Sequence, residues 1–136
     1  MSNKLISKIK SLGISLRPGC SQVELSNLEE IVGYDLPPEF IQLYREADGY
    51  QDHHNFERQR LWSCEEIIAE ELKYDDDFIR FSDFMLNCPW IAISKNDGKI
   101  HVGYGFKREF NGTTKVIANT FSEFLELLVS DSDLLY

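Results

Sequence analysis

Three histidines and three cysteines are the side chains of this 136-residue chain with the most obvious chemical potential. His53 and His54, beside Asp52 and near Asp48, offer imidazole and carboxylate ligands of the types that hold a metal, with His101 far along the chain. Neighbouring side chains of an extended segment point apart, however, and the i, i+4 helical pairing used by zinc enzymes is absent. These histidines are therefore predicted to be solvated loop residues, and neither a metal nor a cofactor is expected. His101 alternates away from Ile100 and Val102, which places it on an exposed sheet surface. Cys20, Cys64 and Cys88 form neither a disulfide framework nor a CxxC zinc pair, and are expected to be reduced and partly buried. No GxSxG elbow places a nucleophile. Gly103-Tyr104-Gly105 has Arg108 where a dinucleotide fingerprint needs its third glycine, and it falls in a strand pattern. Asn111-Gly112-Thr113 matches a glycosylation sequon, but reads as a hairpin turn. No catalytic residue is assigned.

The most informative polar feature is acidic. Glu70 and Glu71 end one helical pattern, and Asp75, Asp76 and Asp77 follow directly. Carboxylates at a helix C-terminus work against the helix dipole, by about 0.3–1 kcal/mol each when exposed. A calcium loop would need DxDxDG spacing and a glutamate at its twelfth position, which are lacking. The segment reads either as solvated charge or as a surface for a basic protein partner. Replacing its three aspartates by asparagine is expected to spare the fold. The whole chain carries a formal charge of -9, and with Lys4, Lys8, Lys10 and Arg17 set apart at the N-terminus the rest carries -13. That field disfavours direct binding of nucleic acid and is compatible with a basic protein.

The elements that must position these residues follow from periodicity and caps. Leu5, Ile6, Ile9 and Leu12 make a short amphipathic helix broken by Gly13 and Pro18-Gly19. Ser21 with Glu24 is a capping box opening a helix that carries Leu25, Leu28, Ile31 and Val32 inward and ends at Gly33. Leu36-Pro37-Pro38 forces an extended approach to a third helix, with Phe40, Leu43, Tyr44 and Ala47 as its apolar stripe and Gly49 as its left-handed end. Tyr50 to Gln59 is expected to be an exposed loop leading to a short strand around Leu61 and Trp62. Ser63 with Glu66 is a second capping box, before a helix with Ile67, Ile68 and Leu72 inward.

Phe78 to Met85 mixes strand and turn, and period-two alternation then takes over. Ile91 and Ile93 share one face, as do Ile100, Val102, Tyr104 and Phe106, with Asn96-Asp97-Gly98 as the turn between them. Asn111-Gly112 turns into a strand from Thr113 to Ile117. Thr120 with Glu123 is a third capping box, and Phe121, Phe124, Leu125 and Leu128 are the buried stripe of the last helix. Helices, an antiparallel β meander and a closing C-terminal helix make an α+β fold in one domain over residues 1–136, with 1–20 as an N-terminal helix and turn. With 43% hydrophobic and 27% charged residues the chain can bury a core. Neither a secretory h-region nor a membrane-spanning run is visible, so a cytoplasmic protein without membrane contact is expected. Oligomeric state is left open.

Leu25 to Gly49, LSNLEEIVGYDLPPEFIQLYREADG, resembles the N-terminal signature of the SUKH superfamily, which includes fungal killer-toxin-resistance and cell-wall-synthesis regulators and short bacterial proteins. The matching elements are Glu29, Gly33, Leu36-Pro37-Pro38, Phe40 with Leu43, and Asp48-Gly49; Asp48 stands where the family often has asparagine. Trp62, the strand Trp90 to Ser94 and the stretch Thr120 to Leu125 are similar to later landmarks in the same order, while Phe81 to Phe84 is only loosely similar. These motifs are largely structural. The resemblance implies an α+β fold and, for a short bacterial member, an immunity protein that binds and neutralises a toxin domain, often a nuclease or deaminase. The fungal relatives imply a regulatory scaffold instead. Fold kinship does not choose between them.

Overall fold

The structure is a computed structural model that describes residues 2–51, 58–74, 76–84, 89–105 and 113–136. Asp52, His53, His54, Asp75, Cys88, Phe106, Arg108, Asn111 and Gly112 lie outside the described residues. In chain order the elements are α1 (Ser2–Ser11), β1 (Leu16–Pro18), α2 (Gln22–Val32), α3 (Pro38–Glu46), β2 (Ala47–Tyr50), β3 (Arg60–Leu61), α4 (Cys64–Glu71), β4 (Phe78–Asp83), β5 (Trp90–Ser94), β6 (Ile100–Gly103), β7 (Lys115–Ala118) and α5 (Phe121–Ser130). A short 3-10 turn at Asp133–Leu135 follows α5. Strands β3 to β7 form a five-stranded antiparallel meander in sequence order, and β1 pairs with β2 in a separate two-stranded sheet. The expected α+β architecture with a closing helix is what the chain adopts.

Alternation along the strands sends Ile79, Phe81, Ile91, Ile93, Ile100 and Val102 to one sheet face, where the helices bury them. Phe81 is the hub: its ring lies 6.3 Å from Phe40 of α3, and 5.4 and 5.0 Å from Phe121 and Phe124 of α5. Edge-on aromatic packing of this kind adds about 0.5–1.5 kcal/mol per pair to the burial itself. Helix α1 packs on α3 and α5 through buried Ile9. No helix among the described residues is long and apolar enough to cross a membrane.

The helix starts follow local chemistry. Ser21 and Ser63 both make complete capping boxes, each hydroxyl accepting from the third helical amide and each glutamate returning to the cap amide. At Thr120 the box is shifted: its hydroxyl accepts from the Glu123 amide, but the Glu123 carboxylate reaches past it to the Asn119 amide.

Several expectations are corrected. Helix α3 ends at Glu46, so Ala47 begins a strand and Gly49 lies within β2 rather than capping a helix. Gly49 has φ +76°, and a Cβ there would sit 2.4 Å from the Trp62 carbonyl oxygen, so close strand approach is what demands the glycine. Tyr50 and Gln59, read as loop, are buried, and Tyr50 pairs with Leu16. Ile31 and Leu72 are exposed. Ile31 sits about a quarter-turn off the Leu25, Leu28, Val32 stripe, and Leu72 is the C-cap beyond the last packed turn of α4. Tyr104 falls past the end of β6 and is exposed. Phe78 to Asp83 is a strand with a register shift between Arg80 and Ser82, and Phe84 bends away from it, in keeping with the mixed strand and turn expected there; Met85 lies outside the described residues.

Candidate functional site

Helix α4 runs into β4 through the acidic segment, and the fate of each carboxylate there is specific. Glu70 pairs with Lys73 at 3.2 Å, and Glu71 with Lys95 of the β5–β6 turn at 2.9 Å. Asp76 clasps both terminal nitrogens of Arg80, at 3.1 and 2.9 Å, and also accepts from the Phe78 amide. Asp77 is exposed and accepts from the Asn96 side-chain amide at 3.2 Å. Of the four described carboxylates on residues 70–77, three meet cations, Lys73, Lys95 and Arg80, and Asp77 meets an amide. The corner keeps a net negative charge, but its described acids are held in place rather than free in solvent. At its centre Leu72 is 76% exposed.

The ion pair of Asp76 overturns the expectation that the aspartates can be neutralised without cost to the fold. The Arg80 side chain is 1% exposed, on the sheet face turned away from the helices. Its guanidinium lies 3.6 Å from the centre of the Tyr74 ring and 4.1 Å from that of Trp90. A buried guanidinium stacked between two rings still needs a counter-charge, and Asp76 supplies it. Burial pushes the Tyr74 hydroxyl above its usual pKa, with Arg80 pulling the other way.

Across four strands the same face carries the row Arg80, Ala92, His101 and Val116. His101, predicted at an exposed sheet surface, is buried under the edge of Phe78 at a ring distance of 5.6 Å. The alternation was read with the right phase. The error was to assume that this face is wet, whereas β4, β5 and β6 are buried on both sides. The His101 ring meets Thr114 Oγ1 through Nδ1 at 2.8 Å and the Asp97 carboxylate through Nε2 at 3.0 Å. Partial burial works against the Asp97 carboxylate, but the Lys99 amide and His101 outweigh it and hold its pKa below the ordinary value. Hydroxyl, imidazole and carboxylate in a chain are the parts of a nucleophile and its base. Here they join the β5–β6 turn to the start of β7. Thr114 was not singled out from sequence and Asp97 reads there only as a turn residue; Asp97 lies four residues before His101, and only the hairpin register brings Thr114 across.

Of the signature residues, Asp48, Gly49 and Trp62 lie at the opposite end of α4, while Glu29, Gly33 and Leu36-Pro37-Pro38 lie at the far end of α2, where Tyr34 approaches Gly98 of the β5–β6 turn. Glu29 accepts from the Leu36 amide at 2.8 Å, tying the end of α2 to the Leu36-Pro37-Pro38 step. Gly33 caps α2 at φ 67°, Pro37 is the cap of α3 and Pro38 its first residue. Phe40 and Leu43 are core. Asp48 accepts from the Cys64 amide at 2.7 Å, satisfying a free donor at the start of α4, while Gly49 lets β2 touch the Trp62 backbone. Trp62 donates its indole N–H to Asp83 at 2.8 Å, and Tyr44 donates to the Trp62 carbonyl at 2.6 Å. The polar members of the signature are therefore occupied with backbone groups. Among the described residues, the ligand atoms that come within 4.8 Å of one another as a possible metal set are those of Cys20, Asp48 and Cys64.

Residues 19–127 match the SMI1 / KNR4 family (SUKH-1), which covers most of the chain, and the chain belongs to that family. No curated protein matches it.

Proposed function

We propose that this member of the SMI1 / KNR4 family is a non-catalytic protein-binding domain of the immunity type, which neutralises a basic toxin domain through the corner between α4 and β4. The observation that carries this reading is Leu72, 76% exposed beside Glu70, Glu71 and Asp76, which are held by Lys73, Lys95 and Arg80. An apolar anchor rimmed by positioned charge suits a protein interface, because side chains already ordered lose little entropy on docking. Nuclease domains present basic surfaces to phosphates, which makes them the complementary toxin class. Family membership is consistent with this role and equally with a regulatory one.

The test pairs the chain with a basic nuclease toxin domain, sought first among the genes beside its own. Growth protection and a tight complex are expected. Asp77→Asn should slow association about two- to threefold at low salt, with the difference fading as the screening length falls to ~8 Å at physiological ionic strength. A folded chain that neither binds nor protects against such a toxin would leave the regulatory role standing.

A further inference from the structure

The sequence separates Cys20 and Cys64 by 44 positions, yet their sulfurs lie 3.1 Å apart. Each is placed by backbone bonds rather than by side-chain packing alone. The Cys20 amide donates to the Tyr44 carbonyl at 2.8 Å, and Gly19 before it presses so closely on the Arg45 carbonyl that no side chain fits there. Cys64 is the first residue of α4, and its amide donates to Asp48. Both cysteines sit beside completed capping boxes, at Ser21 and Ser63, and α2 packs on α4. The two thiols are therefore delivered to one point by two fixed helix starts. Closing from this separation to a bond of about 2.05 Å asks for a shift on the order of 1 Å. Each cysteine retains 5% exposure, so the pair lies at the edge of the core.

We propose that Cys20 and Cys64 are a redox modification site: a dithiol that a hydroperoxide converts into an intramolecular disulfide, locking the start of α2 to the start of α4. The inference stands apart from the docking role of the other end of α4. The hydrogen bond to Cys20, then burial and the nearby Asp48, push the Cys64 thiol above its usual pKa. In one order, the Cys20 thiol sulfur bonds to one peroxide oxygen, the O–O bond breaks, and the departing oxygen takes up the proton released from that thiol to leave as an alcohol or water; the reverse order balances equally. Cys64 sulfur then bonds to the sulfenic sulfur of Cys20, the S–O bond breaks, and the hydroxyl leaves as water with the Cys64 proton. Two electrons and two protons pass from the thiol pair to the hydroperoxide. In a reducing compartment the pair rests as the dithiol, and the cross-link marks oxidising conditions.

The test treats the reduced, purified full chain with hydrogen peroxide, alkylates the remaining thiols in denaturant and maps the peptides. The expected result is a mass loss of about 2 Da before alkylation, with a Cys20–Cys64 linked peptide. A melting temperature raised on the order of 10 °C, and restored by dithiothreitol, should accompany it, because the bond closes a long loop in the unfolded chain. Cys88→Ser should behave identically, and Cys64→Ser should lose the cross-link and the shift. If Cys64→Ser fails to fold, the peptide map of the unaltered chain decides alone. Full alkylation of Cys20 and Cys64 after treatment, linkage to Cys88 in their place, or oxidation to separate sulfinic acids would each overturn the proposal.

Discussion

The two ends of α4 use similar residues in different balance. At its start, carboxylates and hydroxyls mainly bind backbone: Asp48 takes the Cys64 amide, Ser63 the Glu66 amide, and Glu66 returns to the Ser63 amide while also pairing with Arg60 at 2.8 Å. At its end, Glu70, Glu71 and Asp76 bind side-chain cations, and an exposed leucine stands among them. Backbone capping fixes where a helix begins and is satisfied by any sequence that keeps the cap. Side-chain pairing on a surface fixes a pattern of charge, which changes as residues change. The first end holds Asp48, Gly49 and Trp62, three of the residues that carry the resemblance, and the second is where we propose the specificity of this chain lies. A broad family can thus share a scaffold while its members bind different partners.

The largest effect that would break this division is expected at the scaffold end. Gly49→Ala puts a methyl against the Trp62 carbonyl in a backbone conformation that alanine adopts poorly. It should cost about 3–5 kcal/mol or prevent folding, read by denaturant titration. A variant with unchanged stability would show that β2 can move away from Trp62, and that the signature glycine has another purpose.

Within the acidic corner the comparison sharpens between neighbours. Asp76→Ala removes the partner of buried Arg80 and should cost about 2 kcal/mol, less than a fully buried pair because the Asp76 side chain is 25% exposed. Asp77→Asn should leave the melting temperature within a degree or so, since its described contact is an exposed amide. Equal melting temperatures for the two variants would mean that Arg80 needs no counter-charge.

The smallest effect concerns pH. Burial, then the hydrogen bond to Asp131, push the Tyr136 hydroxyl up to about 12, with the Gln59 amide opposing. Because the folded value is raised, the neutral phenol stabilises the fold fully below its ordinary value of 10.0, and that contribution is lost as pH rises through about 12. Tyr136→Phe should flatten the fall in melting temperature over that window. Buried Tyr44 and Tyr50, also raised, keep part of the slope.

What the sequence made legible was local. Capping boxes at Ser21 and Ser63, the Pro37-Pro38 helix start and the Gly98 turn each depend on residues within a few positions, and each is present. What it concealed was relational. The β1–β2 pairing joins Leu16 to Tyr50, the Cys20–Cys64 contact spans 44 positions, and neither leaves a periodic trace. His101 and Arg80 were hidden differently, since polar residues in strands signal a wet face unless a stacked ring or an ion pair covers them. The acidic segment could be found by composition, but its pairing with Lys95 and Arg80 could not, because both cations come from later strands and turns.

The division of labour along α4 is tested most directly by measuring dissociation from the toxin domain and thermal melting together for Leu72→Ala and Asp48→Ala. Leu72→Ala should keep the melting temperature of the unaltered chain and speed dissociation at least tenfold, as truncation of an interface anchor does. Asp48→Ala should lose about 1 kcal/mol of stability with the loss of its helix-start bond, and dissociate at the unaltered rate once corrected for folded fraction. Unchanged dissociation in a folded Leu72→Ala, or fast dissociation in Asp48→Ala without loss of stability, would contradict the account and move the binding surface to the start of α4.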